Sequence, residues 1–279
     1  MSPDDPTTTV PTEQVRALMD LAERVARRAG HVVTDRREGL VEVASTKSSA
    51  TDVVTAVDEE SEELLRAEIL AARPDDAILG EEGGSSSGTS GLTWVVDPID
   101  GTVNYLYGLD SYSVSVAVVA GPPDPELWTL LAGCVHAPAM GTTWSAGRGL
   151  GAWRNGTRLV GRSGPPLAEA LVGTGFGYTP EGRRREGAVV AEMLPQVRDI
   201  RRLGSAAVDL CLVADGRLDA YYESGLNAWD MAAGALVVAE AGGTVRGLGD
   251  RRASTAMTIA GPAELADALA RSLADVVDR

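Results

Sequence analysis

The sequence predicts an α/β protein with an α+β N-terminal half and an α/β C-terminal half. After residue 170, short apolar runs of strand type alternate with stretches of helical length, a pattern typical of a sheet covered by helices. Between residues 112 and 145, three strand-like runs are separated only by Gly/Pro turns, as in an antiparallel meander. Gly, Asn and Pro cluster near residues 155–166, so we place the boundary there, between residues 11–155 and residues 156–279.

In the N-terminal half, we expect a disordered polar tail over residues 1–10 and a long amphipathic helix over residues 11–37. A short strand over 39–44 and a flexible polar loop over 45–50 precede a second helix over 52–72. Further strands are predicted at residues 77–79, 92–96, 112–120, 127–135, 142–145 and 148–153, with a Ser/Gly-rich loop from 85 to 91.

In the C-terminal half, strands and helices are predicted in alternation. The strands are at residues 171–174, 199–201, 218–222 and 258–260, and the helices at 187–194, 205–214, 228–241 and 263–277.

The overall charge limits the classes of partner. A net charge of −15 and a pI near 4.6 argue against general binding to DNA or to a membrane surface, which requires a basic face. An acidic chain that acts on anions needs local positive charge, and bound metal ions are a good source of it. Cys134 and Cys211 have the apolar surroundings of buried free thiols, and the N-terminus lacks an apolar signal core. We therefore expect a cytoplasmic protein.

One segment, W-V-V-D-P-I-D-G-T-V-N-Y at residues 94–105, has the clearest chemical pattern. Pro98 fixes one backbone angle, so Asp97 and Asp100 are expected in a rigid turn with converging carboxylates, which repel unless a proton or a cation lies between them. The Gly101 and Thr102 amides are placed to open a helix and face an anion. This combination suits metal-assisted chemistry on a phosphate ester, although a plain surface turn explains the segment alone nearly as well.

Three further acids are candidates. Asp230 is the first charge in an otherwise apolar, and therefore buried, helix, where it must be paired, neutralised or bound to metal; a role at the helix N-terminus is the alternative. Glu81 ends a buried-type strand, and Asp58 lies in a dense acidic stretch; taken alone, each is better explained as a solvated acid. Together with Asp97 and Asp100, Glu81 and Asp230 would form an all-oxygen ligand set, which selects Mg²⁺, Mn²⁺ or Ca²⁺ over zinc.

These motifs resemble the inositol monophosphatase family, most closely its bacterial SuhB-type members, over about residues 12–275. The first family signature matches residues 94–105, and the second matches W-D-M-A-A-G at 229–234, continuing to E-A-G-G at 240–243. The stretch from Lys47 to Asp58, the Gly-Glu-Glu at 80–82, the G-S-A-A at 204–207 and the D-A-Y-Y-E at 219–223 match in order. The resemblance implies a layered αβαβα sandwich of the sugar-phosphatase type.

The resemblance also implies a role for each matching residue. Two to three Mg²⁺ ions would be held by Glu81, Asp97, the Ile99 carbonyl, Asp100 and Asp230. Thr102, paired with Asp58, would orient and deprotonate the attacking water, with Glu81 as the third catalytic residue. Lys47 would lie in a mobile flap. Phosphate or substrate hydroxyls would be bound by Asp100, Gly101, Thr102, Ser205, Ala206, Glu223 and Asp230.

The implied function is Mg²⁺-dependent, lithium-sensitive hydrolysis of a small phosphomonoester by a homodimer, with myo-inositol 1-phosphate as the expected substrate. Tyr105 replaces the usual family Phe, and Asn227 replaces a His of some animal members; both leave substrate preference open. Alternatives within the family are phosphatases for histidinol phosphate, 3′-phosphoadenosine phosphate, fructose 1,6-bisphosphate or NADP. The alternative of another class is a regulatory protein linked to RNA polymerase and ribosomal RNA.

Overall fold

The computed structural model describes residues 10–37, 43–46 and 53–277. In this part of the chain the helices are α1 (Thr12–Arg37), α2 (Ala56–Ala72), α3 (Thr102–Leu106), α4 (Pro180–Met193), α5 (Ala206–Ala214), α6 (Ala228–Glu240) and α7 (Ala263–Val277), with 3₁₀ turns at Leu167–Glu169 and Leu194–Gln196. The strands are β1 (Val43–Thr46), β2 (Val53–Thr55), β3 (Ala77–Gly80), β4 (Gly84–Ser86), β5 (Leu92–Asp100), β6 (Ser113–Ala120), β7 (Thr129–Ala137), β8 (Thr142–Gly147), β9 (Gly151–Arg154), β10 (Thr157–Arg158), β11 (Leu171–Thr174), β12 (Asp199–Arg201), β13 (Ala220–Glu223), β14 (Thr244–Arg246) and β15 (Thr258–Gly261).

Two large sheets form the framework. The first has eight strands in the order β10-β9-β8-β7-β6-β5-β3-β4 and is antiparallel except for the β3–β5 pair. The second has five strands in the order β12-β11-β13-β15-β14, of which β12, β11 and β13 are parallel. A short antiparallel pair, β1–β2, stands apart from both.

The helices separate and cover the two sheets. Apolar side chains of α1 and α2 pack on one face of the eight-stranded sheet, and those of α5 and α6 pack on its other face. The same α5–α6 layer contacts the five-stranded sheet, whose outer face is covered by α4 and α7. Side chains of β5 alternate between the two layers, Trp94 and Val96 toward α1 and Val95 toward α6. This arrangement confirms the predicted layered αβαβα sandwich.

The central helices are close together. α6 is buried on nearly all sides, as its apolar sequence predicts. A Cβ atom added at Gly234 would lie 2.7 Å from the Cβ of Leu210 in α5, so glycine permits this helix contact. Cys134 and Cys211 are both buried free thiols. Among the described residues, no helix combines the length and the apolar composition that crossing a membrane requires.

Several predicted boundaries in the N-terminal half were wrong, and two of them lie next to the site. The helix predicted from residue 52 begins at Ala56, because Val53–Thr55 pairs with β1 and the Thr55 side chain caps the helix. Strand β5 does not end at residue 96 in a turn; it continues to Asp100 with a shift of register between Asp97 and Asp100. Pro98 lies within this irregular step, where the strand does not need its missing N–H.

Other boundaries differ for local reasons. α4 begins at Pro180, seven residues before the predicted start, because Thr179 caps it and proline suits a first turn. The loop predicted over residues 85–91 contains part of β4, an exposed strand that pairs with β3, and β10 and β14 were not predicted. β1 extends into the predicted 45–50 loop. Some predictions fall outside the described residues: the tail over residues 1–9, residues 39–42 of the predicted strand, and Lys47.

Candidate active site

Three carboxylates converge at the end of β5. Ligand oxygens of Asp97, Asp100 and Asp230 all lie within 4.8 Å of one another. Asp97 and Asp100 come from the irregular end of the strand and are 1% and 8% exposed, whereas Asp230 comes from the first turn of α6 in the other half of the sequence. The structure therefore brings together three of the four acids proposed as ligands.

Protein hydrogen bonds fix one side of each carboxylate. The Ile99 amide donates to Oδ1 of Asp97 over 3.0 Å. In α6, the Asn227 amide donates to Oδ2 of Asp230 over 2.6 Å, which is half of a capping box. The Ala207 amide donates to Oδ2 of Asp100 over 2.8 Å. The remaining oxygens can then meet at a common point.

The Ser205 hydroxyl also holds Asp100. It lies 2.5 Å from Oδ2 of that carboxylate and at the same time caps α5 through the Val208 amide. Ser205 is 1% exposed and was predicted to bind phosphate or substrate. In the structure its hydroxyl contacts Asp100, a proposed ligand, and the residue lines the site cavity, so its binding of phosphate or substrate stays a prediction.

The electrostatics of the cluster favour a bound cation. Burial, followed by the charge of Glu81, raises the pKa of Asp97 and of Asp230 well above the ordinary range. Burial raises the pKa of Asp100 to about 6, against the hydrogen bond from Ser205. None of the Arg–carboxylate ion pairs between described residues includes these three acids. Hard oxygen donors of like charge that are not paired with a cationic side chain fit a divalent ion such as Mg²⁺.

Glu81 lies beside the cluster, in the turn that follows β3. Its amide donates to the Val96 carbonyl over 3.3 Å, and its side chain lines the same cavity as Asp97. Its charge contributes to the raised pKa of each of the three clustered acids. It is not among the three acids whose oxygens lie within 4.8 Å of one another.

Thr102 and Asp58 form a pair next to the acids. The Thr102 hydroxyl lies 3.1 Å from Oδ1 of Asp58 and 2.9 Å from the Ile99 carbonyl oxygen, and it can donate to either. Asp58 is 0% exposed, and its Oδ2 accepts from the Thr55 amide (2.8 Å) and hydroxyl (2.5 Å). Burial raises its pKa to about 6, while the Thr55 hydrogen bonds act in the opposite direction. A buried carboxylate in hydrogen-bond contact with a hydroxyl is equipped to accept a proton.

Gly101 joins β5 to α3 at a position where only glycine fits. Its φ is +92°, and an added Cβ would lie 2.9 Å from the Ser111 carbonyl oxygen and 3.0 Å from that of Gly204. Any side chain would therefore be both strained and crowded at this position. α3 begins directly afterwards at Thr102, as predicted; anion binding by these amides stays a prediction.

The far end of the site contains Glu223 and Ala206. A cavity of about 230 Å³ extends from the acid cluster to both residues. The Tyr221 hydroxyl donates to Glu223, and burial raises the pKa of Glu223 to about 7. At neutral pH this carboxyl group can therefore either accept a hydrogen bond or donate one.

Two further residues of this wall were not predicted. Arg202 and Asp209 line the cavity, and Asp209 is 1% exposed with burial raising its pKa well above the ordinary range. The sequence could have indicated that Asp209 is buried, because it is the single acid in the apolar helix α5. The same pattern identified Asp230 in α6. Arg202 belongs to an Arg-Arg pair that sequence alone assigns to solvent or to ion pairs on the acidic surface in preference to anion binding.

In the absence of divalent cations, we expect the free energy of unfolding to fall as the pH rises from about 4 to about 7. Asp58 and Asp100, whose pKa values rise from 3.8 to about 6, hold more protons in the folded than in the unfolded chain over this range. Stability therefore falls with rising pH, by several kcal/mol at about 1.4 kcal/mol per pKa unit per group. Urea unfolding at a series of pH values measures this slope. Saturating Mg²⁺ should restore stability at pH 7, and a metal-free stability that stays constant or rises with pH would contradict this account of the site.

Comparison with known proteins assigns the family. The Inositol monophosphatase family model matches residues 14–278. Inositol-1-monophosphatase SuhB of Mycobacterium tuberculosis is 43% identical over 255 residues, covering 85% of this chain and 86% of the relative. Nus factor SuhB of Pasteurella multocida is 39% identical over 231 residues, covering 82% and 84%. The crystal structure of extragenic suppressor protein suhB from Bartonella henselae superposes with a TM-score of 0.83 at 31% identity, covering 92% of this chain and 98% of that one. The chain therefore belongs to the inositol monophosphatase family of metal-dependent phosphomonoester phosphatases.

Proposed function

We propose that this phosphatase hydrolyses myo-inositol 1-phosphate to myo-inositol and phosphate with Mg²⁺ as its cofactor. The observation that carries the proposal is the convergence of three buried carboxylates beside the Thr102–Asp58 pair in one cavity. The name of the M. tuberculosis relative, inositol-1-monophosphatase, supports the choice of substrate. The cavity volume of about 230 Å³ suits a small phosphomonoester.

In this proposal, Glu81, Asp97, Asp100, Asp230 and the Ile99 carbonyl hold two to three Mg²⁺ ions. When bound, such ions polarise the phosphate and acidify water, which supplies a nucleophile at neutral pH. Because these acids would fix where the cations are held, they would also fix the position of the phosphate relative to β5.

The Thr102–Asp58 pair orients the attacking water and removes its proton. Asp58 is mostly ionised above pH 6 and can take the proton by way of the Thr102 hydroxyl, which is 3.1 Å away. The Gly101 and Thr102 amides are placed at the start of α3, where they can stabilise the phosphate oxygens. The water thus attacks a phosphorus atom whose negatively charged oxygens are already stabilised.

The leaving alcohol lies toward Glu223 in this proposal. A carboxyl group accepts hydrogen bonds from hydroxyls, so a polyol gains contacts there that an apolar alcohol does not. Asp100, Ala206 and Asp230 complete the contacts to the sugar or inositol ring. The site then lies between the two proposed halves of the chain, residues 11–155 and 156–279.

We expect inositol 1-phosphate to be hydrolysed with a kcat/KM roughly 5–30-fold above that of the sibling substrates, because its alcohol gains one or two hydrogen bonds of about 1 kcal/mol each that theirs do not. Phosphate release at saturating Mg²⁺ from inositol 1-phosphate, histidinol phosphate, 3′-phosphoadenosine phosphate, fructose 1,6-bisphosphate and NADP measures this. As a control, Glu223→Gln should reduce the preference for inositol 1-phosphate over p-nitrophenyl phosphate. Faster hydrolysis of histidinol phosphate would show that the substrate assignment is wrong.

A regulatory role is a second candidate, because the P. multocida relative is named Nus factor SuhB. We propose that such a role would use a partner of the RNA-polymerase type and would coexist with catalysis. A homodimer, sensitivity to lithium and a cytoplasmic location are further parts of the proposal, and each is open to direct measurement.

A further inference from the structure

One face of α2 contacts three separate segments of the site. Asp58, Ser61 and Glu62 are all buried, and their spacing of three and four residues places them on the same side of the helix. Asp58 contacts Thr102, while the Ser61 hydroxyl donates to the Pro98 carbonyl over 3.3 Å. The proposed function uses Asp58 and leaves the buried carboxylate of Glu62 without a role.

Glu62 binds the turn that carries Glu81. Its Oε2 accepts from the Glu82 amide over 2.8 Å, and its Oε1 accepts from the Gly83 amide over 2.8 Å. Two consecutive amides directly after Glu81 are thus held by the two oxygens of one carboxylate, which is 2% exposed. The peptide planes that follow Glu81 have little freedom to rotate.

Arg66 lies one helical turn further along α2 and holds the Glu62 side chain in place. Its Nε donates to Oε1 of Glu62 over 2.7 Å, and its Nη2 donates to the Gly84 carbonyl over 2.5 Å. The guanidinium therefore joins the carboxylate to the end of the same turn. Both partners of the ion pair are engaged with the backbone of residues 82–84.

Close packing of the Gly80 backbone against Glu62 also restrains the chain before Glu81. A Cβ added at Gly80 would lie 2.3 Å from Oε1 of Glu62, so the backbone passes directly against the carboxylate. On the far side, the Glu81 amide donates to the Val96 carbonyl of β5. Glu81 is consequently held between α2 and the strand that carries Asp97.

We propose that Glu62, held by Arg66, is a positioning residue that aims the Glu81 carboxylate at the metal-binding acids before the metal binds. This inference rests on the proposed function, in which Glu81 is a metal ligand. A buried ion pair adds little net stability compared with an apolar pair of the same size. Groups that orient a metal ligand instead change metal affinity, and their loss typically weakens it.

The test measures Mg²⁺ binding by titration calorimetry and Mg²⁺-dependent phosphate release for Glu62→Gln, Arg66→Gln and the control Glu63→Gln. Glu63 lies next to Glu62 on α2 but is exposed. In Glu62→Gln, an amide N–H replaces one acceptor oxygen and faces a backbone N–H, so the turn must move. We expect Glu62→Gln to weaken Mg²⁺ binding roughly 10–100-fold and Arg66→Gln by a smaller factor, with Glu63→Gln unchanged.

Activity distinguishes positioning from general destabilisation. A positioning role predicts that the Mg²⁺ concentration for half-maximal rate rises, while excess Mg²⁺ recovers most of the maximal rate. The proposal is overturned if Glu62→Gln and Arg66→Gln bind Mg²⁺ as the wild type does, even when their melting temperatures fall. If Glu62→Gln does not fold, Arg66→Gln alone decides, because its side chain is partly exposed. Calorimetry requires no substrate, so the result stands apart from the choice of phosphomonoester.

Discussion

Replacing Asp97 with Asn is expected to reduce Mg²⁺-dependent phosphate release by roughly three orders of magnitude or more, since a bound metal supplies several kcal/mol to the transition state. Asp97 is buried at the point where the three carboxylates meet. An asparagine of the same shape keeps one oxygen but removes the negative charge that attracts the cation. Steady-state rates over a wide range of Mg²⁺ concentrations measure the effect.

The same substitution should stabilise the metal-free protein at pH 7. Burial and the charges of Glu81 and Asp100 raise the pKa of Asp97 strongly, so its ionised form is costly in the empty cluster. Asn removes that cost, and the melting temperature without metal should rise while activity disappears. Asp250→Asn, at an exposed position, is the matched control and should change neither quantity. Near wild-type turnover by Asp97→Asn would refute the assignment of the site.

In cells, Asp97→Asn also separates the two candidate functions. A phenotype that disappears together with activity is expected for an enzyme. A phenotype that persists in the inactive but folded variant would instead indicate a binding role, as the name of the P. multocida relative suggests.

The alternation of helices and strands followed from periodic patterns and turn residues, whereas the layered αβαβα sandwich was implied by the resemblance to the family. The convergence of Asp97 with Asp100 was predicted on the basis of a proline turn, and the structure achieves it differently, through an irregular step inside a continuing strand. A bulge leaves no distinct pattern in the sequence, because the same residues suit a turn. The proximity of the two acids was therefore predicted correctly for a reason that the structure corrects.

The acidic stretch at residues 58–63 shows the limit of sequence reasoning. Composition alone favours a solvated helix face for this stretch, yet Asp58 and Glu62 are buried, whereas the adjacent Glu63 is exposed. Their burial depends on the turn at residues 80–84 and on Thr102, which pack against α2 only in the folded chain. Local patterns do not contain these long-range contacts. The contact of the Ser205 hydroxyl with Asp100 is a further long-range contact of this kind, and binding of substrate by Ser205 stays a prediction.

Replacing Thr102 with Val is expected to lower kcat by roughly 10²–10⁴-fold, the usual contribution of a positioned proton acceptor. Valine keeps the β-branched shape and the start of α3 but removes the hydroxyl that contacts both Asp58 and the Ile99 carbonyl. The folded structure should change little, since other groups hold the three converging carboxylates, and the affinity for Mg²⁺ should change only modestly, since the Ile99 carbonyl loses one hydrogen bond and keeps its place in the strand. Rates at saturating Mg²⁺ and substrate therefore report the chemical step.

Thr102→Ser is the matched control, because it keeps the hydroxyl and should retain most of the activity. The pH profile supplies the second criterion. Burial raises the pKa of Asp58 to about 6, so kcat of the wild type and of Thr102→Ser should fall as the pH drops below about 6, where Asp58 becomes protonated. In Thr102→Val the proton no longer has its path to Asp58, and the residual rate should depend less on this ionisation. If the valine variant kept both the wild-type rate and the same acid limb, the Thr102–Asp58 pair could not be the proton acceptor, and the water would have to lose its proton to another group in the cavity.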